Sequence, residues 1–402
     1  MDMSMPLEGV RVADLTIYVQ GPVAAQILAD LGAEVIKVEK PGVGDLSRVA
    51  TRLFERTLVL PGDRRLLWEM GNHNKKSLTL DLYHFKGQEL FYRLIERCDV
   101  LVTNLTPEAL RQMGADEESV RQRNPDIIYA RGSGFGPRGP YAEDPCQDTA
   151  GMARSGFMSL CSHPSGVPGY PPGAVADVAS ATMLAFGVVT ALLARERTGR
   201  APPVVYASQM SSMMWLALFP VALYANTGEE YPPFDRTDVS NPIFNIYRCG
   251  DGRWIALGLY WTERFWPPFC EATGLQHLRD DPRFATDEAR KENRRELIRI
   301  IDEVMATRPS QEWERIFRER KFWFSIVNRY SDLPTDPQVQ ANGYLAELDN
   351  GLKGPSLPFE LAGVQPRLHG APALGEHTEQ VLRELCGCSP EEIEALRGER
   401  VI

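Results

Sequence analysis

Val10-Arg11-Val12-Ala13-Asp14-Leu15 runs into Gly21-Pro22, and Val35-Ile36-Lys37-Val38-Glu39 follows a short distance on. Both apolar runs are short and rich in β-branched residues, which marks buried strands. Between them Val23, Ile27, Leu28 and Leu31 recur at helical spacing, and Gly32 stops the helix. This strand–helix–strand unit is the seed of a parallel sheet. The pattern repeats downstream. Ser77 to Leu82 alternates as a strand, Leu90, Leu94 and Ile95 mark a helix, and Val100-Leu101-Val102 is a strand. Pro107 opens another helix that Gly114 ends, and Ile127-Ile128-Tyr129-Ala130 is one more strand. Helices then cover both faces of the sheet. After Asp177 an Ala-, Val- and Leu-rich helix, Ala179 to Arg195, is expected to lie buried in the body.

The character changes near Asn226. Residues 227–237 are rich in Pro, Glu and Asp and read as a linker. Trp254-Ile255-Ala256-Leu257 is a strand, and Arg294 to Ala306 and Ser310 to Arg318 are amphipathic helices. The expected organisation is α/β. A parallel-sheet domain comes first, a smaller α+β domain runs from Asn241 to about Arg329, and beyond Asp332 the chain is again rich in Pro and Gly. There Pro358-Phe359-Glu360-Leu361 reads as a strand, and the last helix as His377 to Cys386.

The chain has 402 residues, 24 % of them charged, and a formal net charge of −10. That length buries a sizeable core, and that charge disfavours nucleic acid, whose phosphates need a basic surface. A small anionic ligand needs only a few local cations. The seven cysteines are scattered, and Cys386 and Cys388 lack a CxxC spacing, which points to a reducing cytoplasm. Met1 to Val12 lacks the apolar centre of a signal peptide. The longest apolar run, Met213 to Ala225, is broken by Pro220 and falls short of a bilayer span, so no membrane role is expected. The six histidines fit no metal spacing, so no metal site is expected, and there is no GxSxG elbow of a serine hydrolase.

Two segments carry chemistry. Gly132-Ser133-Gly134-Phe135-Gly136-Pro137-Arg138-Gly139 follows a strand, but Pro137, Gly139 and Pro140 prevent the helix that a dinucleotide-binding GxGxxG requires. It reads as a flexible or ligand-facing loop, which weakens a nicotinamide oxidoreductase. Asp177 stands in Gly173-Ala174-Val175-Ala176-Asp177-Val178-Ala179-Ser180, at the start of the long apolar helix. One reading makes it a helix N-cap. The other makes it a reactive carboxylate, kept ionised by helix N–H groups and open to a substrate past small neighbours.

Several segments together resemble the class III CoA-transferase family, also called the formyl-CoA and carnitine CoA-transferase or CaiB/BaiF family. They are Leu7 to Thr16, Gly21-Pro22, Leu28 to Gly42 with Gly44-Asp45 and Arg48, Asn74 to Leu82, Asp99 to Asn104, Gly132 to Pro140, and Ala371 to Thr378. The resemblance spans nearly the whole chain. It implies a large Rossmann-like domain built from both chain ends (1–225, with a return over 336–402), a small inserted domain with its linkers (226–335), and two subunits interlocked as rings in a homodimer. It assigns Asp177 as the nucleophile that carries the acyl group. For CoA it implies Val19 and Gln20 after the first strand, Lys40 as a phosphate partner, Leu80, Asp81, Leu82 and Tyr83, and Asn104, Leu105 and Thr106. Arg111 falls one residue before the family's arginine, where this chain has Gln112. Ser133, Gly134, Phe135 and Gly136 match a loop near the thioester whose N–H groups stabilise a developing oxyanion. The implied substrates are an acyl-CoA thioester and a free carboxylic acid, with no permanently bound cofactor.

The departures bear on substrate. The formyl-CoA branch has a glycine-rich loop that has no counterpart between Thr227 and Asn245, which disfavours oxalate and formate. Tyr231 to Arg236 and Asn241-Pro242 resemble relatives acting on 2-hydroxy or aryl-substituted acids. Phe157, Trp215, Phe244 and Tyr260 are candidates for an apolar acyl pocket, with core packing as the plainer role. Acyl-CoA racemases of the same fold have Gly-His-Asp where this chain has Cys146-Gln147-Asp148, and Gln147 cannot take up a proton. A racemase is thereby disfavoured, and a non-catalytic CoA-binding subunit stands as the other alternative.

Overall fold

The computed structural model describes residues 4–53 and 55–402. Its centre is a six-stranded, wholly parallel sheet. The strands are β1 (Arg11–Leu15), β2 (Glu34–Glu39), β3 (Lys76–Thr79), β4 (Val100–Thr103), β5 (Ile128–Ser133) and β6 (Val204–Ser208). Their order is β6-β5-β4-β1-β2-β3. Because the side-chain period of a strand is two, neighbouring residues enter opposite cores. Val12, Val35, Val100, Val102, Ile128 and Ala130 point to one face. There they meet Ala24, Ala25 and Leu28 of α1 (Gln20–Asp30) and Ala181, Leu184 and Val188 of a long helix, Val175–Thr198. Ala13, Ile36, Leu101 and Tyr129 point to the other face, against Leu90, Phe91 and Leu94 of α2 (Phe85–Ile95).

The expected strand at Ser77–Leu82 is shorter than its alternation promised. Pairing to β2 stops at Thr79, and Leu80 and Leu82 continue as buried side chains of the same core. β3 is an edge strand, whose free N–H and C=O groups need cover. The segment Ala371–Thr378 supplies it. His377 N donates to the Ser77 carbonyl (2.9 Å), Thr79 N to Thr378 Oγ1 (3.0 Å) and Gly375 N to Ser77 Oγ (2.8 Å). Beyond it lie helices Thr378–Glu384 and Pro390–Gly398, the second of which the sequence reading did not anticipate. Residues 358–361 form no strand, and the nearby pairing is Leu345–Glu347 with Lys353–Pro355.

A buried charge cluster lies beneath the sheet's C-terminal edge. Lys37 Nζ is 2.9 Å from Asp45 and 3.7 Å from Asp14, and Lys75 Nζ is 2.7 Å from Asp14. All four side chains are fully buried. Burial pushes the Lys75 ammonium down to about 8. Asp45 also accepts from the Tyr18 backbone N–H (3.1 Å), so the cluster braces the turn that leaves β1.

The chain divides into two compact units. The first comprises 1–159, 170–231 and 342–402, and the second 160–169 and 232–341. In the second, strands Ile246–Arg248, Trp254–Leu257 and Phe324–Ile326 form an antiparallel sheet. Helices Thr262–Thr273, Arg294–Met305 and Ser310–Glu319 bury Trp266, Phe269, Ile301, Trp313 and Phe317 with it in one aromatic-rich core.

Candidate active site

The strand order reverses between β1 and β4, and chains leaving those two strands at their C-terminal ends part in opposite directions. A crevice opens at such a point in any open α/β sheet. Here it is a cavity of about 590 Å³. Val19 and Gln20 line it after β1, Asn104, Leu105 and Thr106 after β4, and Ser133, Gly134 and Phe135 at the end of β5. Asn104 fixes the β1 turn from across the crevice, accepting from Ile17 N and donating to Ile17 O, both at 2.9 Å. Gln20 is buried, and its Nε2 reaches the Ser133 carbonyl (3.1 Å) and Ser180 Oγ (2.9 Å).

Asp177 lines the same cavity. Two helices upstream are labelled α3 (Pro107–Gln112) and α4 (Asp148–Arg154), and Asp177 comes from the first turn of the long helix Val175–Thr198, labelled α5. The N-cap reading of Asp177 does not hold. The N-cap is Ala174, in a left-handed conformation (φ 60°), and Asp177 sits three residues further in. The capping carboxylate comes from elsewhere: Asp148 Oδ1 accepts the Asp177 backbone N–H at 2.9 Å. Asp177 Oδ1 accepts from Gln209 Nε2 at 2.6 Å. Among the described residues no side chain donates to Oδ2.

The helix N-terminus does not dominate this carboxyl, contrary to the expectation of a group kept readily ionised. Burial and the neighbouring Asp148 push it up to about 6, against the Gln209 hydrogen bond that lowers it. Asp148 is raised too, by burial. At neutral pH Asp177 is still mostly carboxylate, but a poorly solvated one, and a desolvated carboxylate is a better nucleophile.

Four residues of this site escaped the sequence reading as functional groups. Gln209 is the first residue of α6 (Gln209–Leu216), which Ser208 caps by a capping box with Ser211. Cys146 Sγ donates to Gln209 Oε1 at 3.1 Å. Asp148 is the first residue of α4. Arg131 lines the wall with a buried Nε that has no hydrogen-bond partner among the described residues. The glycine loop also has a packing reason. A Cβ on Gly134 would stand 2.0 Å from the Cys146 Cβ. Met210 N donates to the Gly134 carbonyl (3.0 Å), which ties the loop to α6.

Other named residues lie outside the cavity lining. Leu80 and Leu82 are core side chains. Lys40 is exposed, its Nζ 5.8 Å from the Tyr83 ring centre, and Asp81 Oδ1 accepts from Tyr83 N (3.0 Å). Arg111 is exposed and faces Glu143 at 3.7 Å. Gly136 spends its N–H on Ser133 Oγ (3.1 Å), so it is no free oxyanion donor. Of the four aromatic candidates, Phe157 packs near Met152 and Met213, Trp215 is exposed, and Phe244 and Tyr260 stack edge-on in the second unit. No group of described His, Cys, Asp and Glu side chains is arranged to hold a metal ion.

Helix α5 is long and apolar enough to cross a membrane by length and composition, a span the sequence reading did not credit. Nor is it wholly buried. Ala181, Leu184, Ala185 and Val188 pack inward, while Val178, Phe186 and Leu193 form an exposed stripe, Phe186 being 70 % exposed. A mean apolarity shows no face, because the outward residues are as apolar as the inward ones.

The family model described as CoA-transferase family III matches residues 7–378. The chain is 29 % identical to (R)-2-hydroxy-4-methylpentanoate CoA-transferase of Clostridioides difficile over 413 residues, covering 99 % of this chain and 100 % of that one. It is 30 % identical to cinnamoyl-CoA:phenyllactate CoA-transferase of Clostridium sporogenes (98 % and 96 % covered). It is also 30 % identical to formyl-CoA:oxalate CoA-transferase of Bradyrhizobium sp. (strain ORS 278) (97 % and 96 %). A solved CaiB/BaiF family protein from Brucella suis superposes with a TM-score of 0.85 at 27 % identity, covering 95 % of this chain and 100 % of the other. With a full-length match of sequence and fold, the chain belongs to CoA-transferase family III, the CaiB/BaiF family of enzymes.

Proposed function

We propose that this enzyme moves CoA between an acyl-CoA thioester and a free carboxylic acid, with Asp177 as the covalent carrier. The observation that carries this is the position of Asp177: a half-buried carboxylate in the switch-point cavity, one oxygen held by Gln209 and the other unengaged by described side chains. In the proposed cycle, Oδ2 adds to the thioester carbonyl and the C–S bond breaks. An aspartyl anhydride forms and CoA leaves as thiolate. The thiolate adds to the aspartyl carbonyl and releases the donor acid, leaving an aspartyl-CoA thioester. The acceptor carboxylate then reverses these two steps with its own carbonyl. Each intermediate stays activated, so the thioester's free energy is conserved provided water is kept out.

CoA follows the crevice rim in this reading. Val19, Gln20, Asn104, Leu105, Thr106 and Ser133 to Phe135 would face the pantetheine arm, and Lys40, Tyr83 and Arg111 the nucleotide end. The relatives' names span 2-hydroxy, aryl and oxalate substrates at nearly equal identity, so identity does not choose among them. The missing glycine-rich run between Thr227 and Asn245 favours a 2-hydroxy or aryl-substituted acid over oxalate. A racemase is disfavoured because the residue before Asp148 is Gln147, which cannot exchange a proton.

The working form in this proposal is an interlocked homodimer. Its support is the exposed apolar surface of Phe186 and Leu193 on α5 with Trp215, Leu218 and Phe219 nearby in sequence on α6 and α7 (Leu218–Thr227). The free state of every cysteine favours the cytoplasm. The test is Asp177→Ala, read by CoA exchange and by CoA binding. Exchange is expected to vanish with binding retained, and exchange within a few-fold of wild type would refute the carrier assignment.

A further inference from the structure

We propose that Gln209 is a catalytic hydrogen-bond donor, aimed by Cys146, that stabilises the charge arising on Asp177 Oδ1 whenever CoA enters or leaves the aspartyl carbonyl. This rests on Asp177 being the acyl carrier.

The argument starts from the two ends of one amide. Gln209 is 4 % exposed, so its amide cannot satisfy itself with bulk water. Nε2 donates to Asp177 Oδ1 at 2.6 Å and Oε1 accepts from Cys146 Sγ at 3.1 Å. The two contacts define its orientation. Flipped, the amide would set Oε1 against the Asp177 carboxylate and its NH2 against a thiol hydrogen. Burial and the Asp177 charge push the Cys146 thiol up to about 11, so it remains S–H and a donor across the working range. Gly151 of α4 makes room, since a Cβ there would stand 2.5 Å from the Gln209 Cβ and 2.6 Å from Oε1.

Next comes the fate of each carboxylate oxygen. Oδ2 is the oxygen to which no described side chain donates, so it attacks and becomes the bridging oxygen of the anhydride. Oδ1 is then the aspartyl carbonyl oxygen, still facing Gln209. When CoA thiolate adds to the aspartyl carbon, the S–C bond forms and the C=O electron pair moves onto Oδ1. The tetrahedral centre collapses by breaking the C–Oδ2 bond, and the donor carboxylate departs with Oδ2. Attack by the acceptor carboxylate on the aspartyl thioester places the same charge on Oδ1 and expels the thiolate. A donor already aimed at Oδ1 needs no reorganisation in either step. The charged and titratable groups facing Asp177 are Asp148 on α4 and Cys146 on the preceding loop, with neutral Gln209 on α6.

The test uses the full-length enzyme with an acyl-CoA it turns over, quenched rapidly into hydroxylamine and read by peptide mass spectrometry. Gln209→Leu is expected to slow formation of the aspartyl-CoA thioester by about 10²–10³-fold. It is also expected to move the pH midpoint of acylation upward, because a hydrogen bond to the carboxylate is gone. Cys146→Ser keeps a donor and is expected within about threefold of wild type, whereas Cys146→Ala is expected to lose roughly tenfold or more. A Gln209→Leu enzyme that binds CoA normally and stays within about threefold of wild type, with an unmoved pH profile, overturns the proposal. So does equal behaviour of the two Cys146 variants, which decides alone if Gln209→Leu does not fold. Absence of any adduct on residue 177 in wild type overturns the carrier reading itself and is seen before any variant is made.

Discussion

Replacing Asp177 with Asn is expected to make the protein more stable at neutral pH while abolishing transfer. Asn is isosteric, and its side-chain oxygen can still accept from Gln209. What disappears is a half-buried negative charge beside Asp148. The carboxyl is raised from 3.8 to about 6 in the fold. A folded-state value above the unfolded one means that the native state holds more protons between about pH 4 and 6, so stability falls as pH rises through that window. Above it the whole cost is present. Two pKa units correspond to roughly 3 kcal/mol, the ceiling for the gain from Asp177→Asn. The assay is urea unfolding of both proteins at one protein concentration, at about pH 7.5 and again at about pH 4. The variant is expected to gain about 1–3 kcal/mol at the higher pH and nothing at the lower. Equal stability at both pH values, or a loss at the higher, would refute the claim that this carboxylate is held in an unfavourable setting.

Other outcomes follow from the same structure. The rate of enzyme acylation is expected to fall as pH drops through about 6, where Asp177 takes up its proton, and single-turnover kinetics across that range would show it. Asp14→Ala strips both Lys37 and Lys75 of a buried counter-ion and is expected to cost about 3–5 kcal/mol in chemical denaturation. A cost under about 1 kcal/mol would mean that Asp45 alone neutralises the cluster. If the proposed dimer packs the exposed stripe of α5, Phe186→Glu is expected to sediment as a smaller species than wild type. Equal sedimentation coefficients for the two proteins would count against the proposed dimer through this face.

Most of the sheet was legible because its strands alternate between two apolar faces, as Ile128, Tyr129 and Ala130 do. The break after β3 was not, since Leu80 and Leu82 are as apolar as strand residues and only their pairing ends. The partial exposure of α5 was hidden for a related reason: Phe186 and Val188 differ in surroundings and not in hydropathy. Asp177, which lines the cavity, is singled out in the sequence by its small neighbours and the family resemblance. Gln209, Cys146 and Asp148 are not, because their roles depend on helices that begin far apart in sequence and meet only where β1, β5 and β6 end. Lys37 sits in a run that reads as a buried strand, yet nothing in a linear run announces that its ammonium is shared with Asp14 and Asp45.

The central claim is that Asp177 becomes acylated. Incubating the enzyme with a substrate acyl-CoA, trapping with hydroxylamine and mapping the modified peptide tests this most directly. A hydroxamate on Asp177, absent without acyl-CoA, is the expected result. Turnover with that peptide unmodified, or with the hydroxamate on another carboxylate, would contradict it.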